Sequence, residues 1–306
     1  MVSSLRSTTS LKSVVPVIVP KGGEGKTWTT EVLHCIADLI GASVALGTND
    51  GTNAALVALV GKENVASLSW EADAQRGRTV VNRHLSKDLI CIDVGANSDP
   101  LDRRFLDFSH GAREAAANAG ARYIVVIPSA TNKGGGLGSA ITTVEAYAAE
   151  GFETVLLLND RDGSGNYGDT TKIPSWVTVG GLQNIQPGIM AYRISKEGMP
   201  LSSVINGADQ DYVKARGILR NAVLEAAHSD WMSSIFWWSG ALSGLPKPDA
   251  PPDLMKFVRT IEMASDESLL RNERYTAAYK AFMRADPNGP NFESCARALH
   301  EAMRFV

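Results

Sequence analysis

Short apolar runs recur along the chain at 14–19, 43–46, 89–94, 123–127, 154–158 and 176–179. Each is continuous rather than alternating, the pattern of parallel strands covered on both faces. Helix-like segments lie between them at 29–40, 54–60, 105–120 and 139–151, long enough for right-handed crossovers. The pattern predicts an α/β fold, a doubly wound and mostly parallel sheet whose ligands collect at the carboxyl ends of the strands. A further helix is read over 211–227, and beyond it the chain changes character. Trp231, Phe236, Trp237 and Trp238 crowd together, a Pro-rich break spans 246–252, and helical patterns follow at 253–262, 268–285 and 292–305. The expected organisation is a flexible tail over 1–13, an α/β unit over 14–228, and a C-terminal helical appendage over 229–306. No internal repeat or extended low-complexity segment interrupts it.

Composition changes this picture little. The chain has 306 residues, 44% hydrophobic and 21% charged, with a net charge of −3, ordinary values for a globular protein with a substantial core. No apolar stretch approaches the roughly 18 residues of a membrane-crossing helix, so none is expected. Cys35, Cys91 and Cys295 are far apart and lack CxxC spacing, which reads as reduced cysteines in a cytoplasmic protein. The first dozen residues are rich in Ser and Thr and carry Arg6 and Lys12, without the apolar core of a secretory signal. They read as a flexible tail, with DNA or anionic lipid as the other use of its charges. From Lys214 onwards, 12 Lys and Arg face 11 Asp and Glu, so no bulk basic signal marks a nucleic-acid protein.

The chemistry concentrates in Lys21-Gly22-Gly23-Glu24-Gly25-Lys26-Thr27, between the first predicted strand and the first predicted helix. A glycine-rich turn there aims backbone N–H groups and a helix N-terminus at one spot, which suits polyphosphate. Gly22, Gly23 and Gly25 allow close approach, Lys26 can reach the β- and γ-phosphates, and the Thr27 hydroxyl can ligate Mg²⁺. Downstream, 89–92 is an apolar strand that ends in Asp93, a hard oxygen ligand suited to the same Mg²⁺; taken alone, such an aspartate is equally a turn residue.

The general phosphate-loop pattern would put its first glycine at Val19 or Pro20; this chain has Lys21 instead. Lys-Gly-Gly-X-Gly-Lys-Thr resembles the deviant Walker A motif of the ParA/MinD family of P-loop ATPases. The resemblance spans about 14–227 and implies ATP and Mg²⁺ as ligands. It implies too that Lys21 reaches a partner's nucleotide in an ATP-dependent homodimer; the bland reading of Lys21 is a solvated loop lysine. Asp93-Val94-Gly95 matches a D-x-G Walker B variant. Asp50 matches the second aspartate of the family's switch, which orients the attacking water, although Asp50-Gly51 is also a turn signal. Asn159 matches the position that contacts the base, and an Asn-Asp turn accounts for it as well. Gln186-Pro187-Gly188 and Gly198-Met199-Pro200-Leu201 resemble the stretch that closes over adenine. Two departures stand out within the nucleotide-binding set. Glu24 brings a carboxylate beside a triphosphate, unfavourable unless it points away or meets a cation, and Trp28 replaces a small hydroxyl residue.

The Gly-rich loops 131–138 and 160–172, with Lys133 and Lys172, read either as elements ordered by a γ-phosphate or as inert connectors. Lys214, Arg216 and Arg220 read singly as solvated charges, or with symmetry mates as a phosphate-binding patch. The tryptophan cluster reads first as core packing; as a contact it ranks partner or dimer above membrane, because 229–244 holds no Lys or Arg. The resemblance implies an ATPase acting as a spatial switch, cytoplasmic or nucleoid-associated, that engages nonspecific DNA and is reset by a stimulating protein partner in plasmid or DNA partition. The alternatives are an ATP-dependent ligase or kinase-like enzyme on the same scaffold, and a nucleotide-holding scaffold with little hydrolysis.

Overall fold

The computed structural model describes residues 10–48, 65–67, 73–95, 101–161, 164–183, 200–206 and 213–248, with single positions at 56 and between 277 and 298. Seven strands form one sheet: β1 (Ser13–Val17), β2 (Val44–Thr48), β3 (Val65–Ser67), β4 (Leu89–Asp93), β5 (Arg122–Ala130), β6 (Glu153–Asn159) and β7 (Thr178–Leu182). Their order is β3-β2-β4-β1-β5-β6-β7, and every pairing is parallel. The helices are α1 (Lys26–Leu39), α2 (Ala74–Arg83), α3 (Arg103–Asn118), α4 (Gly136–Ala149), α5 (Leu201–Asn206), α6 (Val213–Ala227), α7 (Asp230–Ile235) and α8 (Ala241–Gly244).

Strand side chains alternate between two core layers, as the pleat requires. Val15 and Val17 of β1, Cys91 of β4 and Val126 of β5 pack with α1, α5, α6 and α7 on one face. Val14 of β1, Ile90 and Ile92 of β4, and Val125 of β5 pack with α2, α3 and α4 on the other. This is the doubly wound α/β arrangement expected from the apolar runs. Both faces are apolar because both are covered.

Local signals set the helix ends. Asp73 accepts a hydrogen bond from Arg76 N (2.8 Å) and Asp102 from Arg104 N (2.9 Å), capping α2 and α3. α1, α3 and α4 each end two residues before a left-handed glycine, Gly41, Gly120 or Gly151. The next amide reaches back in each case: Ala42 N to Ala37 O, Ala121 N to Ala116 O and Phe152 N to Tyr147 O, at 2.8–3.0 Å.

β3, α2 and the short helices α5, α7 and α8 were not anticipated as such. β3 is only three residues long, and α2 is polar except for Val80 and Val81 among its buried positions. Its seat is a close helix crossing: a Cβ on Gly77 would lie 2.1 Å from Phe108 O, and one on Gly111 1.9 Å from Ala74 O. The strand expected over 176–179 runs instead as β7, two residues later, with Trp176 outside it and 57% exposed.

The expected boundary at 228 falls between α6 and α7, whose side chains share one core layer. Trp231, Met232, Ile235 and Phe236 are buried there with Leu219 and Val223. The Trp231 indole lies so close to Gly180 of β7 that a Cβ there would be 2.6 Å from it. Ser13 Oγ donates to Ile235 O (2.7 Å) and Arg122 Nη1 to Ser234 O (2.9 Å), which ties α7 to the starts of β1 and β5. Trp237, 47% exposed, donates to Lys12 O. The helices expected over 54–60, 253–262, 268–285 and 292–305 lie outside the described residues, apart from single helical positions. Among the described residues, no helix is long and apolar enough to cross a membrane.

Candidate nucleotide site

The sheet order changes direction at β1. The chain winds outward through β2 and β3, returns to β4, and then crosses to β5 on the other side. The carboxyl ends of β1, β4 and β5 therefore frame the crevice where an open α/β sheet accepts ligands. Register brings the expected chemistry to that edge: Asp93 pairs with Val17 and with Thr48, and Asn159 pairs with Ala130.

Residues 20–25 form the loop between β1 and α1. Gly25 caps α1 in the left-handed conformation (φ 95°), and a Cβ there would lie 2.1 Å from Asn159 Nδ2, so both backbone and space demand glycine. Lys26 opens α1 and is 7% exposed. Its Nζ donates to Lys21 O (3.0 Å) and Val19 O (3.3 Å), which folds the ammonium over the loop. Thr27 Oγ1 donates to Asp93 Oδ2 at 2.7 Å. The two oxygens expected to serve a magnesium ion thus meet at the loop's exit. Among the described residues, no group of three or more His, Cys, Asp or Glu could hold a metal. This donor pair fits Mg²⁺, which keeps waters and takes phosphate oxygens beside one or two protein ligands.

The outer side of the loop is tied to the ends of β5 and β6. Glu24 is fully buried, and its Oε2 accepts from Ala130 N at 2.7 Å. Its other oxygen has no hydrogen-bond partner among the described residues and lies over Gly136, the first residue of α4, where a Cβ would be 2.9 Å away. The carboxylate therefore points away from the cradle into the β5–α4 junction. Asn159 is buried beside it, and Nδ2 donates to Glu24 O (3.2 Å). Lys21 Nζ donates to Gly134 O (2.8 Å), Lys133 Nζ to Gly22 O (3.2 Å) and Arg161 Nη1 to Gly23 O (3.4 Å). Four cations thus surround one short loop, each on a backbone carbonyl. Lys133 reads from the sequence as part of a Gly-rich loop that a γ-phosphate could order; its seat on Gly22 O, that of Arg161 on Gly23 O and that of Lys21 on Gly134 O were not foreseen.

Trp28 is half-buried against the core layer that holds α6 and α7, not in the cradle. Asp50, Gln186-Pro187-Gly188 and Gly198-Met199 lie outside the described residues. Glu31, one turn beyond Thr27, is buried, and burial pushes its carboxyl up to about 7; the Leu201 backbone opposes the rise, and the charges of Asp38 and Asp93 add to it. Burial also raises the Cys35 and Cys91 thiols, and both cysteines are free.

No protein-family model matches the chain, and no curated protein matches it in sequence. Solved structures do resemble it. The septum site-determining protein MinD from Pyrococcus horikoshii, complexed with Mg-ADP, is 18% identical over 74% of this chain and 98% of its own, with a TM-score of 0.49. The cell division ATPase MinD of Pyrococcus furiosus is 18% identical over 70% and 98%, with a TM-score of 0.47. MinC:MinD from Aquifex aeolicus is 14% identical over 68% and 94%, with a TM-score of 0.45. Likeness at this level carries no inference about what this chain binds.

Proposed function

We propose that this chain is a ParA/MinD-like ATPase that binds ATP and Mg²⁺ in the loop over 21–27 and dimerises in that state. The observation that carries the reading is the Thr27–Asp93 hydrogen bond at the exit of a loop whose Lys26 ammonium is already folded over its backbone. A lysine, a hydroxyl and a carboxylate gathered at one loop support the reading, because that set is what a Mg-triphosphate calls for. Lys21 serves the partner's nucleotide in the dimer, and Asp50 orients the attacking water. The ATP dimer acts as a spatial switch in plasmid or DNA partition, binding nonspecific DNA and returning to monomer when a protein partner stimulates hydrolysis.

The test has two stages. Lys26→Ala loses nucleotide binding, whereas Lys21→Ala keeps it and loses the ATP-dependent dimer, read by calorimetry and by light scattering. Normal dimerisation of Lys21→Ala removes the family assignment. Binding to a random-sequence duplex at fixed salt is then compared in Mg-ATP, Mg-ADP and no nucleotide. ATP-selective binding supports the DNA-surface switch, and equal or absent binding in all three states rejects it.

A further inference from the structure

We propose that Lys133 is a second lysine of the nucleotide site, one that binds the terminal phosphate from within the same protomer and so lets the chain tell a triphosphate from a diphosphate. This rests on the nucleotide-binding reading above. Lys133 comes from the β5–α4 loop, more than a hundred residues from the loop it touches. Its Nζ donates to Gly22 O and lies so close to Gly23 that a Cβ there would be 2.8 Å away. The Lys26 ammonium, which serves the β- and γ-phosphates, meets the neighbouring carbonyl of Lys21. The loop's opening residues therefore border the terminal phosphate, and Lys133 sits on that border.

Lys21 meanwhile reaches the opposite way, onto Gly134 O beside Lys133. The two lysines hold each other's loops, and within the protomer the rim at Gly22 and Gly23 is met by Lys133 and Arg161 rather than Lys21, with Lys133 the nearer to Gly23.

The loop that presents Lys133 is held in place. Asn132 is the one non-glycine residue with positive φ (54°) among those described. Asparagine adopts that conformation more readily than other side chains, and hydrogen bonds from the neighbouring loop fix it. Here Asn132 N donates to Asn166 O (2.9 Å), Asn166 Nδ2 to Asn132 Oδ1 (2.8 Å), and Asn132 Nδ2 to Ser164 Oγ (3.1 Å). Two residues earlier, Ala130 N is fixed by Glu24.

On the Gly22 carbonyl the ammonium meets no opposite charge, while a phosphate oxygen adds the attraction of an ion pair to the hydrogen bond. With a triphosphate present, the ammonium moves from Gly22 O to the terminal phosphate; with a diphosphate it stays. Calorimetric titration of the full chain with Mg-ATP and with Mg-ADP tests this in the parent, Lys133→Gln and Lys133→Arg. Loss of one hydrogen bond to a charged group corresponds to a weakening of about tenfold or more. Lys133→Gln should lose about that factor for ATP and less than about twofold for ADP, and Lys133→Arg should restore most of it. Lys133→Met gives the same comparison should Lys133→Gln not fold. An equal loss for both nucleotides means that Lys133 only clasps the two loops, and an unchanged ATP affinity means that it contributes nothing; either overturns the inference while leaving the nucleotide-binding reading intact. A parent chain that binds neither nucleotide overturns both.

Discussion

Glu31→Gln isolates the least comfortable charge in the core. Glu31 is 1% exposed on α1, and burial, its largest influence, moves its carboxyl from an ordinary value of 4.5 to about 7. Because the folded-state value is raised, the folded chain holds this proton more tightly than the unfolded one. The stability it contributes is fully present below about 4.5 and is lost as pH rises through about 7. The interval between the two values corresponds to about 3 kcal/mol, reached once the carboxyl is ionised in both states. Glutamine keeps the shape and cannot ionise. Urea unfolding of the nucleotide-free chain, followed by the fluorescence of its six tryptophans, should show the parent losing stability from pH 5 to pH 8.5. The Glu31→Gln profile should be flatter, with the variant gaining on the parent by about 3 kcal/mol across that range. Every other titrating group is common to both proteins, so the difference between the profiles belongs to Glu31. Profiles that run parallel would refute the argument, because they would mean that the carboxyl is solvated or paired when charged.

Three further substitutions probe the frame around the site. Gly111→Ala places a Cβ 1.9 Å from Ala74 O, where backbone must move, and should cost about 3 kcal/mol in denaturant unfolding; an unchanged midpoint would mean that α2 and α3 slide apart freely. Trp231→Ala empties a fully buried indole site against β7 and should cost about 3–5 kcal/mol in a single shared transition; a small early transition that leaves the main one intact would mark 229–248 as separable. Glu24→Ala takes the acceptor from the buried Ala130 N–H and should cost about 1–3 kcal/mol, with faster hydrogen exchange at that amide; unchanged exchange would show that the bond does not hold the loop.

The sheet was legible because its strands are covered twice. Val14–Val17 and Leu89–Ile92 show no polar alternation, and that alone points to parallel strands between helical layers. β7 was misplaced for the opposite reason: Gly180 and Gly181 carry no apolar side chain, and Trp231, about fifty residues later, fills the space above one of them. α2 escaped notice because it is short and polar overall, with only Gly77, Val80 and Val81 on its buried face. Thr27 and Asp93 were readable because strand ends and motif spacing fix them. The direction of Glu24 was not, since its partner amide is 106 residues away in sequence.

That direction removes the electrostatic objection to a carboxylate in a phosphate loop. A buried anion over the first residue of a fourteen-residue helix sits at the positive end of its dipole, a favourable place for negative charge. Glu24 thereby directs its carboxylate at α4 and Ala130, which leaves Asp93, bonded to Thr27, as the carboxylate of the cradle. Lys26 is buried and already oriented over the loop, and on the proposed reading it serves diphosphate and triphosphate alike. The cations on the rim are exposed, rest on carbonyls, and can leave them at little cost when a stronger acceptor arrives. On the proposed reading, the buried Lys26 sets affinity for the nucleotide, and Lys133 sets sensitivity to its terminal phosphate. Lys133 and Lys21 hold each other's loops, so on the two proposals together a phosphate that draws Lys133 away would also weaken the clasp that keeps Lys21 on its own protomer. A lysine released in that way is what a dimer partner needs.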